Sequence, residues 1–199
     1  SDCDKHWAEE SSLITTIESS DGGKSWGNSN VVAEALISEG EERWLTPRLS
    51  RLRSGRLIIV CDHDDYNYYH IERPSGVWIW FSDDEGKTWT KPQHTTIPGI
   101  EPDRVVELSD GTLITATEVV LHDNWRLALM ASRSRDGGVT WDPPTAVAKD
   151  SGHDYNEGAI VVMSNDVLAC VMREENHNGY PSCVAFSYDQ GCTWSGIRP

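Results

Sequence analysis

Four copies of one eight-residue pattern, S-x-D-x-G-x-[ST]-W, run the length of the 199-residue chain, at Ser19–Trp26, Ser82–Trp89, Ser134–Trp141 and Ser187–Trp194. Their aspartates, Asp21, Asp84, Asp136 and Asp189, are 63, 52 and 53 residues apart. That period is far longer than the motif and matches propeller blades or other arrays. The pattern has a local reason to recur. A tight loop between two strands leaves backbone N–H groups unpaired; Ser and Asp side chains accept from them, and glycine takes the left-handed position. The closing Trp then buries a large ring beneath the hairpin. The four boxes specify a fold rather than a reaction.

Charge and cysteine content remove several classes of function. A formal charge of −15 with only 17 Lys and Arg leaves no basic block to displace counterions from a phosphate backbone, so nucleic acid is the first partner to discard. No apolar stretch is long enough to span a membrane, and the first residues, Ser1-Asp2-Cys3-Asp4, do not resemble a signal peptide. A soluble chain is expected, with the compartment, cytoplasmic or secreted, left open. The five cysteines (Cys3, Cys61, Cys170, Cys183, Cys192) are odd in number and show no C-x-x-C pair, so at least one is free and zinc is not expected. Cys61 and Cys170 lie in apolar runs and read as small buried hydrophobes; neighbouring strands leave a Cys170–Cys183 bridge open.

A second pattern precedes boxes two to four. Leu49–Val60, Val105–Ala116 and Ile160–Val171 each read as strand, short turn, strand, with Asp166 standing where the other two turns have glycine. Each unit is then two strands, a variable connection, a third strand, the box and a fourth strand. With no amphipathic helix in between, this predicts an all-β fold, a β-propeller of four-stranded blades. Before box one only the strand around Leu13–Ile17 is visible, so about three and a half blades are expected in a single partial propeller: 1–40 (partial), 41–98, 99–150 and 151–199. Closed propellers usually need about four to eight blades. An open arc leaves unpaired edges, so either further blades or self-association of copies would close the ring.

The same register locates candidate chemistry. Propeller inner strands line a central channel, and five residues beyond Leu57, Leu113 and Leu168 stand Asp62, Glu118 and Arg173. Polar strand ends at solvent are common; three ionisable residues at one equivalent position are harder to explain as core. Glu157 begins the first strand of the last unit, whose hairpin partner ends in Arg173-Glu174-Glu175, which brings carboxylate and guanidinium to one end. Arg173 suits a carboxylate-bearing ligand through its planar fork; the plainer alternative is an internal ion pair. The run Asp62-His63-Asp64-Asp65 followed by Tyr66, Tyr68 and Tyr69 combines carboxylates with aromatic faces, as sugar sites do, and lacks the ligand spacing of a calcium loop. His70, His122 and His153 are lone loop histidines able to titrate near neutrality.

The boxes, in phase with their hairpins over essentially the whole chain, resemble the Asp-box or BNR repeat of the sialidase superfamily. That resemblance implies a propeller that holds a substrate carboxylate with three arginines and performs retaining hydrolysis with a Tyr nucleophile paired to a Glu and an Asp acid/base, without a metal or cofactor. Glu157-Gly158 followed by Arg173 looks like the blade carrying that Glu and the second arginine, and Asp62 looks like the acidic residue of the first blade. The family's R-I-P element falls on Leu45-Thr46-Pro47, with Arg43 and Arg48 beside it rather than in it. His70 falls where the acid/base Asp is expected, and the third arginine and the Tyr would lie on blades after Pro199. The expectation is a sialidase-like glycoside hydrolase, or part of one, acting on an acidic sugar. Glu157, Asp62 and His70 are its catalytic candidates, and Arg173, Glu118, Arg43 and Arg48 would contact the carbohydrate. The rival is a non-catalytic Asp-box propeller that binds glycans or proteins.

Overall fold

The computed structural model describes residues 11–36, 43–64, 76–121, 126–175 and 182–199. The described residues form thirteen strands in four antiparallel sheets, each built in sequence order. The first sheet has two strands, β1 (Ser11–Thr16) and β2 (Asn30–Leu36). The second runs β3 (Arg43–Arg51), β4 (Leu57–Asp64), β5 (Gly76–Ser82) and β6 (Gln93–Pro98). The third runs β7 (Val106–Glu107), β8 (Leu113–Leu121), β9 (Arg126–Ser134) and β10 (Thr145–Ala148). The fourth holds β11 (Tyr155–Val162), β12 (Leu168–Glu174) and β13 (Cys183–Ser187), and Arg198 bridges to Val184 where a further strand would lie. This is the predicted all-β propeller architecture, present as an arc.

The four boxes fold alike because each closes the same hydrogen-bond circuit. In the second, Ser82 Oγ donates to Asp84 Oδ1 (2.8 Å) and accepts the Gly86 N–H (2.8 Å), while Asp84 accepts the Thr88 N–H (2.9 Å) and hydroxyl (2.6 Å). Ser134/Asp136/Thr140 and Ser187/Asp189/Thr193 repeat it, as does Ser19/Asp21/Ser25. The hydroxyls of Ser25, Thr88 and Thr140, followed by the amides of the same residues, hold Asp21, Asp84 and Asp136 down at about 2.

A carboxyl group whose pKa is lower when folded stabilises the fold above its unfolded pKa, about 3.9 for Asp, and loses that contribution as pH falls toward the folded value. The thermal midpoint, followed by tryptophan fluorescence, should therefore fall steeply between about pH 4 and pH 2. Asp84→Asn should flatten that limb. An acid limb identical in the variant would mean that the boxes do not set it.

Core formation occurs between sheets. Trp141, in the third box, packs among Ile58, Val60, Ile79 and Phe81 of the second sheet. Trp194 packs against the core shared by the third and fourth sheets, and Trp89 against the one that joins Ile14 of the first sheet to Ile59 and Trp80 of the second. Each box thus plugs the sheet before it. Box one is the exception to the buried ring expected from sequence: Trp26 is 59% exposed, because among the described residues no sheet precedes β1–β2 to receive it. The outward faces at the two ends are likewise open, with Leu13 and Val31 exposed on one and Val161 and Val171 on the other. Cys61, Cys170 and Cys192 are free thiols, so the Cys170–Cys183 bridge left open by the sequence does not form; Cys170 pairs across the ladder with Ala185, and Cys183 with Met172.

Carboxylates fix one sheet against the next. Asp103 accepts the Ile160 N–H (2.7 Å), Asp154 accepts the Leu127 N–H (2.9 Å) and the Arg126 guanidinium (2.6 Å), and Glu107 accepts the Arg53 N–H (2.6 Å). Asp166, at the turn position where glycine was expected, takes the left-handed conformation (φ 56°) and accepts the Ser109 N–H of the neighbouring sheet at 3.1 and 3.2 Å. Its carboxylate explains why a non-glycine residue is held there.

Candidate functional site

Three sheets carry the same irregularity at the same place. In the second sheet Leu45 pairs with Asp62 and the register then shifts before Arg48; in the fourth Asn156 pairs with Arg173 and shifts before Ala159. In the third, Ile100 pairs with Glu118, and the next inter-strand bond runs from the Asp103 N–H to the Ala116 carbonyl (2.8 Å). Each shift is a β-bulge, and the residue that opens it has positive φ although none is glycine: Thr46 (42°), Glu101 (48°) and Glu157 (47°). Bulges re-aim side chains next to active sites, and left-handed non-glycine residues persist only where their surroundings impose them. Three in-register bulges, on the first strand pairs of three successive sheets, mark one candidate site.

Asp62 lies beneath it. The side chain is buried and accepts hydrogen bonds from the Thr46 hydroxyl in its own sheet and from the Glu101 N–H in the next. Burial raises its pKa, opposed by the Thr46 and Glu101 bonds and by Arg48. Asp62 is therefore placed to hold two bulges together. Glu101 is more open; desolvation, then the charges of Glu157 and Asp62, push its pKa up, while Arg48 and Arg173 pull it down. Arg173 donates from Nη1 to Glu157 Oε1 (2.9 Å) and from Nη2 to Glu175 Oε1 (2.8 Å), and the other Glu175 oxygen accepts from the Asn156 amide (2.7 Å).

The sequence candidates thus divide. Asp62, Glu157, Arg48 and Arg173 come together, and Arg48 is exposed and within electrostatic reach of Glu101 and Asp62. Glu118 occupies the equivalent ladder position but its side chain is enclosed, 4% exposed, and its backbone holds Ile100 through paired bonds of 3.0 and 3.1 Å. Arg43 opens β3 opposite Asp64. His70, with Asp65 and Tyr66, Tyr68 and Tyr69, lies outside the described residues, as does His122. His153 instead meets Asp150, its Nδ1 2.9 Å from the carboxylate, beside the hydroxyl of Tyr155 that donates to the same group (2.8 Å).

Sequence reasoning missed Glu101 and Thr46. The available signal was the dipeptide with proline next, Thr46-Pro47 and Glu101-Pro102, which stands just ahead of two of the three hairpins.

Repeated boxes, serial four-stranded sheets and charged bulges around the axis define an Asp-box propeller with a polar, carboxylate-rich mouth. The chain belongs to the BNR repeat-like domain family, whose model matches residues 9–199. By sequence it is 23% identical over 210 residues to a sialidase of Paraclostridium sordellii, the match covering 94% of this chain and 50% of that protein. It thus spans about half the length of the curated relatives it matches. By structure it is similar to a protein of unknown function from Dyadobacter fermentans DSM 18053, with a TM-score of 0.75 at 18% identity, covering 94% of this chain and 57% of that one. It is also similar to the Hadza microbial sialidase Hz136, with a TM-score of 0.72 at 20% identity, covering 92% and 39%. At these identities the structural likeness establishes the fold alone.

Proposed function

We propose that this chain supplies part of the glycan site of a sialidase-type glycoside hydrolase, with the sugar held where the three bulges converge. The observation that carries this reading is the repeated left-handed bulge, which directs Thr46, Glu101 and Glu157 toward one axis over Asp62 and beside Arg173. Retaining and inverting glycosidases alike work with a pair of carboxyl groups flanking the bond they cut. Glu157, bonded to Arg173, and Glu101, within electrostatic reach of Glu157 and Asp62, are the pair in this reading. Asp62 is a positioning residue in this scheme. The polar groups here suit the hydroxyls of a sugar, and Arg173 stands at the ladder position equivalent to Asp62 and Glu118.

The test is binding followed by turnover. Arg173→Ala should weaken glycan binding by about tenfold or more, since it leaves Glu157 and Glu175 without the guanidinium that positions both. Glu157→Gln should retain binding while any hydrolysis of aryl glycosides is lost. Hydrolysis that survives Glu157→Gln at every pH would overturn its catalytic assignment. Binding that persists with no turnover in the unaltered protein would favour the glycan-binding propeller instead.

A further inference from the structure

The charges at the bulges are not arranged as a receptor for an anion. Four carboxyl groups, Asp62, Glu101, Glu157 and Glu175, face two guanidinium groups, Arg48 and Arg173. Both terminal nitrogens of Arg173 are already engaged, one by Glu157 and one by Glu175. A ligand carboxylate arriving at Arg173 must share its cation with Glu157 and Glu175 and place a third negative charge beside them. At the equivalent ladder position of the second sheet the pair is Leu45 and Asp62, which supplies no second guanidinium. The background charge of −15 adds repulsion at long range.

A hydroxyl meets none of these obstacles, because it donates to a carboxylate and accepts from a guanidinium or amide at the same time. One buried group points independently to such a ligand. Asn156 is 4% exposed; its amide nitrogen is committed to Glu175, and its carbonyl oxygen, also buried, has no hydrogen-bond partner. Buried acceptors are normally satisfied. This one adjoins Glu157 in sequence and faces Arg173 across the ladder, where a ligand hydroxyl would complete it.

We propose that the site selects uncharged, hydroxyl-rich glycosides over carboxylated ones, and that Glu101 and Glu175 set this choice. This rests on the glycan reading above and narrows it to a substrate class. The selection is electrostatic: Glu175 shares the cation an acid would need, and Glu101 adds negative charge within reach of Arg48 and Arg173.

The experiment uses matched pairs that differ only in charge. Binding of 4-nitrophenyl glucoside and glucuronide, galactoside and galacturonide, and an aryl sialoside and its methyl ester is measured by ligand-observed NMR titration. The neutral member of whichever pair binds should be tighter by about tenfold. Glu175→Gln and Glu101→Gln should each reduce that ratio severalfold while the thermal midpoint stays close to that of the unaltered protein. Equal or tighter binding of the charged member overturns the selection and leaves the glycan reading standing. A ratio unmoved by either substitution removes the roles given to Glu101 and Glu175. Silence of every pair overturns the glycan reading and this inference together.

Discussion

Replacing Gly99 by alanine should destabilise the protein by about 3–5 kcal/mol and abolish ligand binding in the same step. Gly99 has φ +86°, a conformation that costs an L-residue about 1 kcal/mol. The larger effect is steric. A Cβ there would lie 2.0 Å from the Glu118 carbonyl oxygen and 2.9 Å from Val119 Cγ2, and the first of these contacts is backbone that cannot swing aside. The two bonds between Ile100 and Glu118 would break, and they seat the bulge that begins at Glu101. Gly111→Ala is the control: the same sign of φ (+90°) with open space around the new methyl, so only the conformational cost of about 1 kcal/mol should appear. Urea denaturation of both variants separates the effects. Equal losses would show that the close approach at Gly99 is not what fixes the bulge.

Trp141→Ala should cost about 3–5 kcal/mol, whereas Trp26→Ala, the same substitution at the same box position, should stay within about 0.5 kcal/mol. Trp141 is 7% exposed and fills the second sheet's face, with its indole N–H donated to the Gly138 carbonyl at 3.1 Å. Truncation removes that apolar contact and leaves a cavity in a core shared by two sheets. Trp26 is 59% exposed and has little to lose. Domains of this size are stable by about 5–15 kcal/mol, so the first change takes a large part of the total. Equilibrium unfolding of the two variants side by side decides it. A comparable loss from Trp26→Ala would mean that the first box is covered in solution.

What could be read from the sequence was whatever the chain decides locally. Each box satisfies its own amides within seven residues, so Ser82, Asp84 and Thr88 announce their loop without help from elsewhere. Hairpin register was equally visible, and it brought Asp62 and Arg173 to notice by counting from the marker leucines. The bulges were not, because the left-handed turn at Thr46, Glu101 and Glu157 is imposed by cross-strand pairing and by the neighbouring sheet, not by glycine or asparagine at those positions. Glu101 therefore passed unnoticed, although its proline neighbour marked the spot. Glu118 was read correctly for ladder position, but depth depends on how Gly99 lets the next strand approach. The motif repeated faithfully at Trp26, but burial of a box tryptophan needs a preceding sheet, which a motif cannot supply.

Because the tryptophans of boxes two to four are lodged in the sheet before them, neither the second sheet nor the third is sealed when its own last strand has been made. The second sheet gains its plug only with Trp141, and the third is closed over by Trp194. A chain emerging from the ribosome thus carries its newest sheet unsealed until the next box arrives, so the order of synthesis is also the order of sealing. Pauses in translation just before a box would leave the longest-lived sticky surface, and the spacing between boxes sets how long that exposure lasts.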